Sequence, residues 1–189
     1  MLTLTFLITL LDIPIMVLLL RIWMQWSRSD FYNPLSQFVV KITQPVVGPL
    51  RRILPSLGPI DSASLVLAFI VIAFKLLILV YLGAIPVSLT LILISVFALA
   101  KSIGHLIFWV IIIRSIMSWV SQGRSPIEYL LHQLTEPLMA PIRRILPAMG
   151  GIDFSAMVII LILYLLKSLA IDLFTSLNLS LFPGLWSLL

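Results

Sequence analysis

Four apolar runs dominate the chain, at about residues 2–26, 62–82, 95–119 and 154–177. Each exceeds the roughly 18 residues that mark a membrane span. Polar positions fall between them in a regular order. A basic stretch covers 27–61, a charge-free turn follows at Gly83-Ala84-Ile85-Pro86, a second basic stretch covers 120–153, and an uncharged tail covers 178–189. The third run begins earlier, at Val87, and taken as one straight helix to Trp119 it would reach about 50 Å against a hydrocarbon core of roughly 30 Å. The span is therefore placed at 95–119, and 87–94 is a helical extension, an interfacial piece or a short separate helix.

The polar stretches repeat. Pro45 to Asp61 (PVVGPLRRILPSLGPID) aligns with Pro137 to Asp153 (PLMAPIRRILPAMGGID) at an offset of 92, with 10 of 17 positions identical. Arg21–Trp26 aligns with Arg114–Trp119 at an offset of 93. Internal repeats of this kind decide the architecture before any local assignment. Each half, 1–86 and 87–189, reads as span, basic loop, span. A unit with two spans begins and ends on one side, so the repeat is parallel rather than inverted. The expected fold is an all-α integral membrane protein, a four-helix transmembrane bundle with approximate two-fold symmetry along the membrane normal. Arg28, Lys41, Arg51 and Arg52 lie in the first loop and Arg124, Arg143 and Arg144 in the second, with none in the turn or tail. The positive-inside rule then puts both loops in the cytoplasm and both termini outside.

Each loop carries a short amphipathic segment. Asn33 can cap a helix with Pro34 at its first position, and Leu35, Phe38, Val39 and Ile42 follow at helical spacing. Ser125-Pro126-Ile127-Glu128 has capping-box spacing, followed by Ile127, Leu130, Leu131 and Leu134. Pro45 and Pro137 are expected to end these helices, leaving LRRILP and IRRILP as at most one turn each. Arg51, Arg52, Arg143 and Arg144 then read either as an electrostatic anchor to anionic headgroups or as a docking surface for an inner-membrane or cytoplasmic protein. Asp61 and Asp153 are placed to cap the following spans.

Six ionisable residues fall inside the expected spans: Asp12, Lys75, Lys101, His105, Lys167 and Asp172. Such residues are costly in hydrocarbon and are functional candidates by default. Lys75 lies about 20 Å of helix beyond the start of its span and Asp12 about 15 Å from the opposite end of its own. These depths match, so Asp12–Lys75 is an expected pair, and the same count suggests Lys101–Asp172. Three readings stay open: ion pairs that fix helix register, a proton or ion pathway, and lysines snorkelling outward. Ala100 and Gly104 offer a small-xxx-small contact, and Trp23, Trp26 and Trp119 fit an aromatic belt, as does Trp186 in the tail.

Composition narrows the chemistry. The 189 residues are 61% hydrophobic and 10% charged, with a net charge of +5 and no cysteine. Disulfides, thiolate metal sites and thiol nucleophiles are excluded. The charge acts through its placement, and no nucleic-acid contact is read from it. The first basic side chain is Arg21, so the N-terminal run reads as a retained span rather than a signal peptide. No phosphate loop, dinucleotide fingerprint or nucleophile elbow occurs. His105 and His132 are the only histidines, too few for a zinc site, and nothing sets them face to face around a haem. No cofactor, metal or enzyme activity is expected.

The doubled PL-RRILP…G-ID motif, with RIWMQW, DFYNP and SWVSQGRSPIEY, resembles the bacterial YggT family, called YlmG in other lineages. The resemblance covers essentially the whole chain. It implies a small multi-pass inner-membrane protein without an established biochemical activity and offers no catalytic residues to transfer. It further implies links to cell division and membrane or nucleoid organisation, to haem attachment in a cytochrome b complex for plastid relatives, and to osmotic stress or ion homeostasis for some bacterial ones. Two functions follow as expectations: a membrane-organising or assembly factor using the paired loops, or a transport-related protein using the intramembrane Asp and Lys residues. Four spans leave little room for a pore, so the second calls for a homo-oligomer.

Overall fold

The computed structural model describes residues 6, 8–56, 58–83, 85–120, 125–146, 154–179 and 185–189. Within them the chain forms helices α1 (Asp12–Trp26), α2 (Pro34–Arg51), α3 (Ser62–Tyr81), α4 (Thr90–Val120), α5 (Pro126–Ile145), α6 (Ser155–Ser176) and the single turn α7 (Leu185–Leu188). Four segments are long and apolar enough to cross a membrane: Ile8–Trp26, Ser62–Tyr81, Thr90–Ser118 and Ser155–Ser176. α4 begins at Thr90, so the apolar stretch before residue 95 is mostly a helical extension of the third span.

α1 packs on α3 and α4, and α4 on α3 and α6. The α1–α3 pairing is the most extensive, and the small Ala63 and Ala68 of α3 are buried in one cluster with Leu18 of α1 and Val47 of α2. In lipid, packing and polar contacts rather than water exclusion bring helices together. At one end, α2 packs on α1 and α3, α5 packs on α4 and α6, and α2 and α5 meet. The Asp30 amide donates to Gln133 Oε1 (2.8 Å) and Asn33 Nδ2 to the Pro126 carbonyl (2.5 Å), tying both loops into one loop end. Trp23, Met24, Val39, Val110, Leu130, Leu131 and Leu134 form the core there. Ile15, Leu19, Ile72, Leu76, Leu79, Ile94, Ala98 and Phe174 form the core of the far end.

Several expectations change. α2 and α5 do not stop at Pro45 and Pro137; they continue through Pro45 and Pro49, and through Pro137 and Pro141. All four prolines lie on the exposed face. A proline there frees a carbonyl that opens outward, and a helix tolerates this as a curve around its packed side. The arginine pairs therefore begin on helix, not in a free turn. Asn33 caps α2 as expected, its side chain accepting from the Leu35 amide (3.0 Å), whereas Ser125 makes no side-chain cap bond. The buried stripe of α2 is Ser36, Val39, Thr43 and Val47, while Phe38 and Ile42 face outward. Trp23 is core rather than belt, Gly104 makes no close helix contact among the described residues, and Trp186 packs edge-on to Phe97 and Phe174 inside the bundle instead of at its rim. Arg124 and Asp153 lie outside the described residues.

Candidate functional site

Two polar centres emerge, one at each end. At the loop end, Asp61 is fully buried and caps α3, accepting from the Ser64 amide (3.5 Å) and hydroxyl (2.6 Å). Arg51 meets it as a fork, Nε on Oδ1 (3.2 Å) and Nη2 on Oδ2 (2.5 Å). Arg21, 2% exposed, reaches it from α1 at 3.4 Å. Burial alone would raise the Asp61 carboxyl, but the Arg51 and Ser64 hydrogen bonds outweigh that and hold it below its ordinary value.

Arg21 also donates to Thr43 Oγ1 (2.5 Å) and Gln44 Oε1 (2.8 Å), and the Thr43 hydroxyl donates onward to the Val39 carbonyl (2.6 Å). The second half repeats this contact. Arg114 donates to Thr135 Oγ1 (2.5 Å) and touches Met139 Sδ, and Thr135 donates to the Leu131 carbonyl (2.8 Å). Each arginine thus pins an amphipathic helix to its span. These four residues were missed as site candidates, although Arg21 and Arg114 stand 93 apart and Thr43 and Thr135 stand 92 apart.

The four loop arginines separate into two kinds. Arg51 is committed to Asp61, and Arg143 to Glu136 at 3.2 Å. Arg52 and Arg144 are exposed, and their side chains have no hydrogen bond or ion pair among the described residues. Lys41 is exposed on α2 beside a shallow depression of about 570 Å³ lined by Phe31, Gln37, Val40, Gln44 and Pro45.

At the far end, Lys75 is 2% exposed and its Nζ lies 2.5 Å from Asp12 Oδ1, so the pair expected from depth is formed. Lys75 also donates to the Leu189 backbone oxygen (3.1 Å). Lys101 does not pair with Asp172. Its Nζ donates to the Trp186 carbonyl (2.6 Å) and sits 5.8 Å from that ring's centre, a cation–π distance. Asp172 and Lys167 are exposed because α6 turns Ser155, Ile159 and Phe174 inward, and both charges fall on other faces. The folded-back 185–189 segment takes the place assigned to Asp172. His105 is exposed and accepts from Trp109 Nε1 (2.9 Å).

Near this centre Pro14 cannot donate to Leu10, and Leu11 keeps right-handed helical backbone angles (φ −70°, ψ −15°) just before Asp12. A cleft of about 570 Å³ lies there, with Asp12, Lys101, Ser102, His105 and Trp109 among its walls. No group of three or more side chains suited to a metal occurs among the described residues.

The sequence profile of the CCB3/YggT family matches residues 1–82 and again residues 93–174. The chain belongs to the CCB3/YggT family. It is 55% identical over 189 residues to the "Uncharacterized protein YggT" of Escherichia coli, covering 97% of each chain. It is 44% identical over 171 residues to an "Uncharacterized protein" of Haemophilus influenzae, covering 90% of this chain and 92% of the other. No solved structure matches. Family membership agrees with the four membrane-length helices and assigns no reaction to either polar centre.

Proposed function

We propose that this YggT-family chain is a non-enzymatic organiser of the bacterial inner membrane, an assembly factor acting through its basic loop end. Its two halves are parallel repeats related by an approximate two-fold axis between α1 and α4. The double profile match and the paired Arg–Thr contacts support that reading. The loop end faces the cytoplasm, on the ground that Lys and Arg gather in the loops and avoid the turn and tail.

The observation that carries the proposal is the division of labour among the basic residues. Arg21, Arg51, Arg114 and Arg143 build the platform, while Lys41, Arg52 and Arg144 point away from it. Exposed Phe31, Tyr32, Phe38, Ile53, Tyr129 and Ile145 accompany them. A rigid surface of unneutralised cations among aromatic and aliphatic groups suits anionic headgroups and a protein held against them.

Photocrosslinking from positions 38 and 53 in cells tests this. The expected result is a discrete protein adduct that disappears when Lys41, Arg52 and Arg144 are replaced by Gln, with the variant inserted at wild-type level. An adduct pattern indifferent to those replacements overturns the reading.

A second reading has its own observation. The far-end Asp12–Lys75 pair and neighbouring Lys101 suit an osmotic-stress or ion-homeostasis role. It calls for a homo-oligomer, and α6, the least buried span, offers the face for one. Growth defects under hyperosmotic shock confined to Asp12→Asn and Lys75→Met would favour it over the first.

A further inference from the structure

The fourth span, α6, carries charge on its outer side. Its inward face is Ile159, Ile160 and Leu163, packed against α4 and α5, with Phe174 farther along. Lys167 and Asp172 are exposed on other sides, and neither side chain has a hydrogen bond or ion pair among the described residues. Lys167 stands about 18 Å of helix from Ser155 and about 13 Å from Ser176, near the middle of the span. Snorkelling serves lysines near helix ends, and hydrocarbon at mid-depth supplies neither water nor a counter-ion. Asp172 lies on the same helix, but about 140° round its axis, so the two do not face each other.

Two helices side by side can join what one helix keeps apart. Leu161, Ser168 and Thr175 recur every seven residues and alternate with Met157, Tyr164 and Ile171, a heptad seam. All are exposed except the half-buried Ile171. The seam lies about 140° round α6 from Ile159 and Leu163, clear of its own bundle. Lys167 borders one edge of it and Asp172 the other. In a parallel helix pair such flanking positions meet across the seam, a residue of one helix reaching the position five further on in its neighbour. Ser168, small and on the seam at the depth of the charges, lets two backbones approach.

We infer that α6 is a dimer interface: a second copy of this chain docks on it in parallel, and Lys167 of each copy pairs with Asp172 of the partner subunit. Two copies inserted alike in one membrane are related by a two-fold axis along its normal, so the charge pair forms twice. Membrane helices commonly cross at the shallow left-handed angle that keeps such a seam together. Lys75, 92 residues before Lys167, takes Asp12 within its own chain; Lys167 takes its carboxylate from another. The dimer rests on neither functional reading. It gives the homo-oligomer of the second a definite face, and its failure leaves the loop platform and the Asp12–Lys75 pair as they are.

The chain has no cysteine, so single cysteines report the contact. The full chain carrying Ser168→Cys is oxidised in phosphatidylethanolamine–phosphatidylglycerol vesicles while added lipid dilutes it. The yield of disulfide-linked dimer against dilution gives a dissociation constant. Ser168→Cys is expected to cross-link, since seam positions at one depth come within roughly 6 Å between Cα atoms, disulfide range. Leu169→Cys, one residue on and exposed but off the seam, is expected to give little. In the Ser168→Cys background, Lys167→Asp and Asp172→Lys should each weaken self-association by about tenfold or more. An equal mixture of the two should restore it, because the mixed dimer sets opposite charges together at both sites. If a reversal does not insert, Lys167→Met takes its place, with about a tenfold loss expected. In dilute micelles, where copies separate, Lys167→Met leaves the stability of the single chain as it is. The inference is overturned by a Ser168→Cys yield no higher than that of Leu169→Cys, by an affinity the charge variants do not change, or by reversals that fail to recover on mixing.

Discussion

The two halves of this chain agree at the loop end and disagree at the far end. At the loop end Arg21 on Thr43 and Arg114 on Thr135 are the same contact made twice, with the threonine hydroxyl passed to the backbone four residues back in each. At the far end Lys75 and Lys167 stand 92 residues apart, yet one is buried on Asp12 and the other faces outward. The cause is visible one helix away. The position 93 residues after Asp12 is His105, which takes a hydrogen bond from Trp109 and gives Lys167 no carboxylate. A repeated residue keeps its role only where its partner is repeated too. The shared contacts read as construction and the unshared ones as specialisation.

The largest expected effect comes from the knot that joins three elements of the first half. Asp61→Ala leaves Arg21 buried without its acid and costs about 3–5 kcal/mol, measured by reversible unfolding in mixed micelles. Arg21→Met is expected to cost more than Arg114→Met, since Arg114 is less buried. Equal losses would erase the difference drawn between the halves. Next come the unequal lysines. Lys75→Met leaves Asp12, itself about one-third exposed, without its partner, and about 1–3 kcal/mol is lost. Lys167→Met stays within about 0.5 kcal/mol of wild type. A costly Lys167 variant would show that the far end is symmetric after all.

The threonines test the agreement itself. Thr43→Val and Thr135→Val each remove an acceptor from an arginine, for about 1–2 kcal/mol, and the two losses should match within about 0.5 kcal/mol. Acid titration gives a smaller signal. The folded-state carboxyl of Asp61 is held below its ordinary value, so its stabilisation is complete above the unfolded-state pKa of about 3.9 and fades as pH falls through the lower folded value. Arg51→Gln removes the main lowering contact, burial then raises the carboxyl, and the loss should begin at higher pH. The smallest effect is expected for Arg52→Gln with Arg144→Gln. Stability should move by less than about 0.5 kcal/mol while loop-end crosslinks decline. A large destabilisation there would place these arginines in the construction after all.

Much of this was legible as pattern. The four spans followed from run length, the Asn33 and Asp61 caps from residue type and position, and the Asp12–Lys75 pair from counting 1.5 Å steps along two helices. The misses share a cause. Proline was read as a stop because local rules forbid its bonds, but exposure of Pro45, Pro49, Pro137 and Pro141 let α2 and α5 run on. Asp172 was matched to Lys101 by depth alone, and depth says nothing about which way a side chain faces around its helix. Phe38 and Ile42 fell on an apolar stripe, yet the helix turned Thr43 and Val47 inward because Arg21 needed a partner there.

The sequence by itself determined the membrane class, the number of spans, the doubled loop motif and the concentration of basic residues between spans, since these depend on composition and spacing along the chain. Only the tertiary structure decided which arginines build and which stay exposed, that residues 185–189 fold back onto the intramembrane lysines, and that Lys101 meets the Trp186 carbonyl rather than Asp172. Those outcomes rest on helix rotation and on partners up to 114 residues apart. A one-dimensional pattern fixes how deep a side chain lies, and the packed bundle fixes what it meets there.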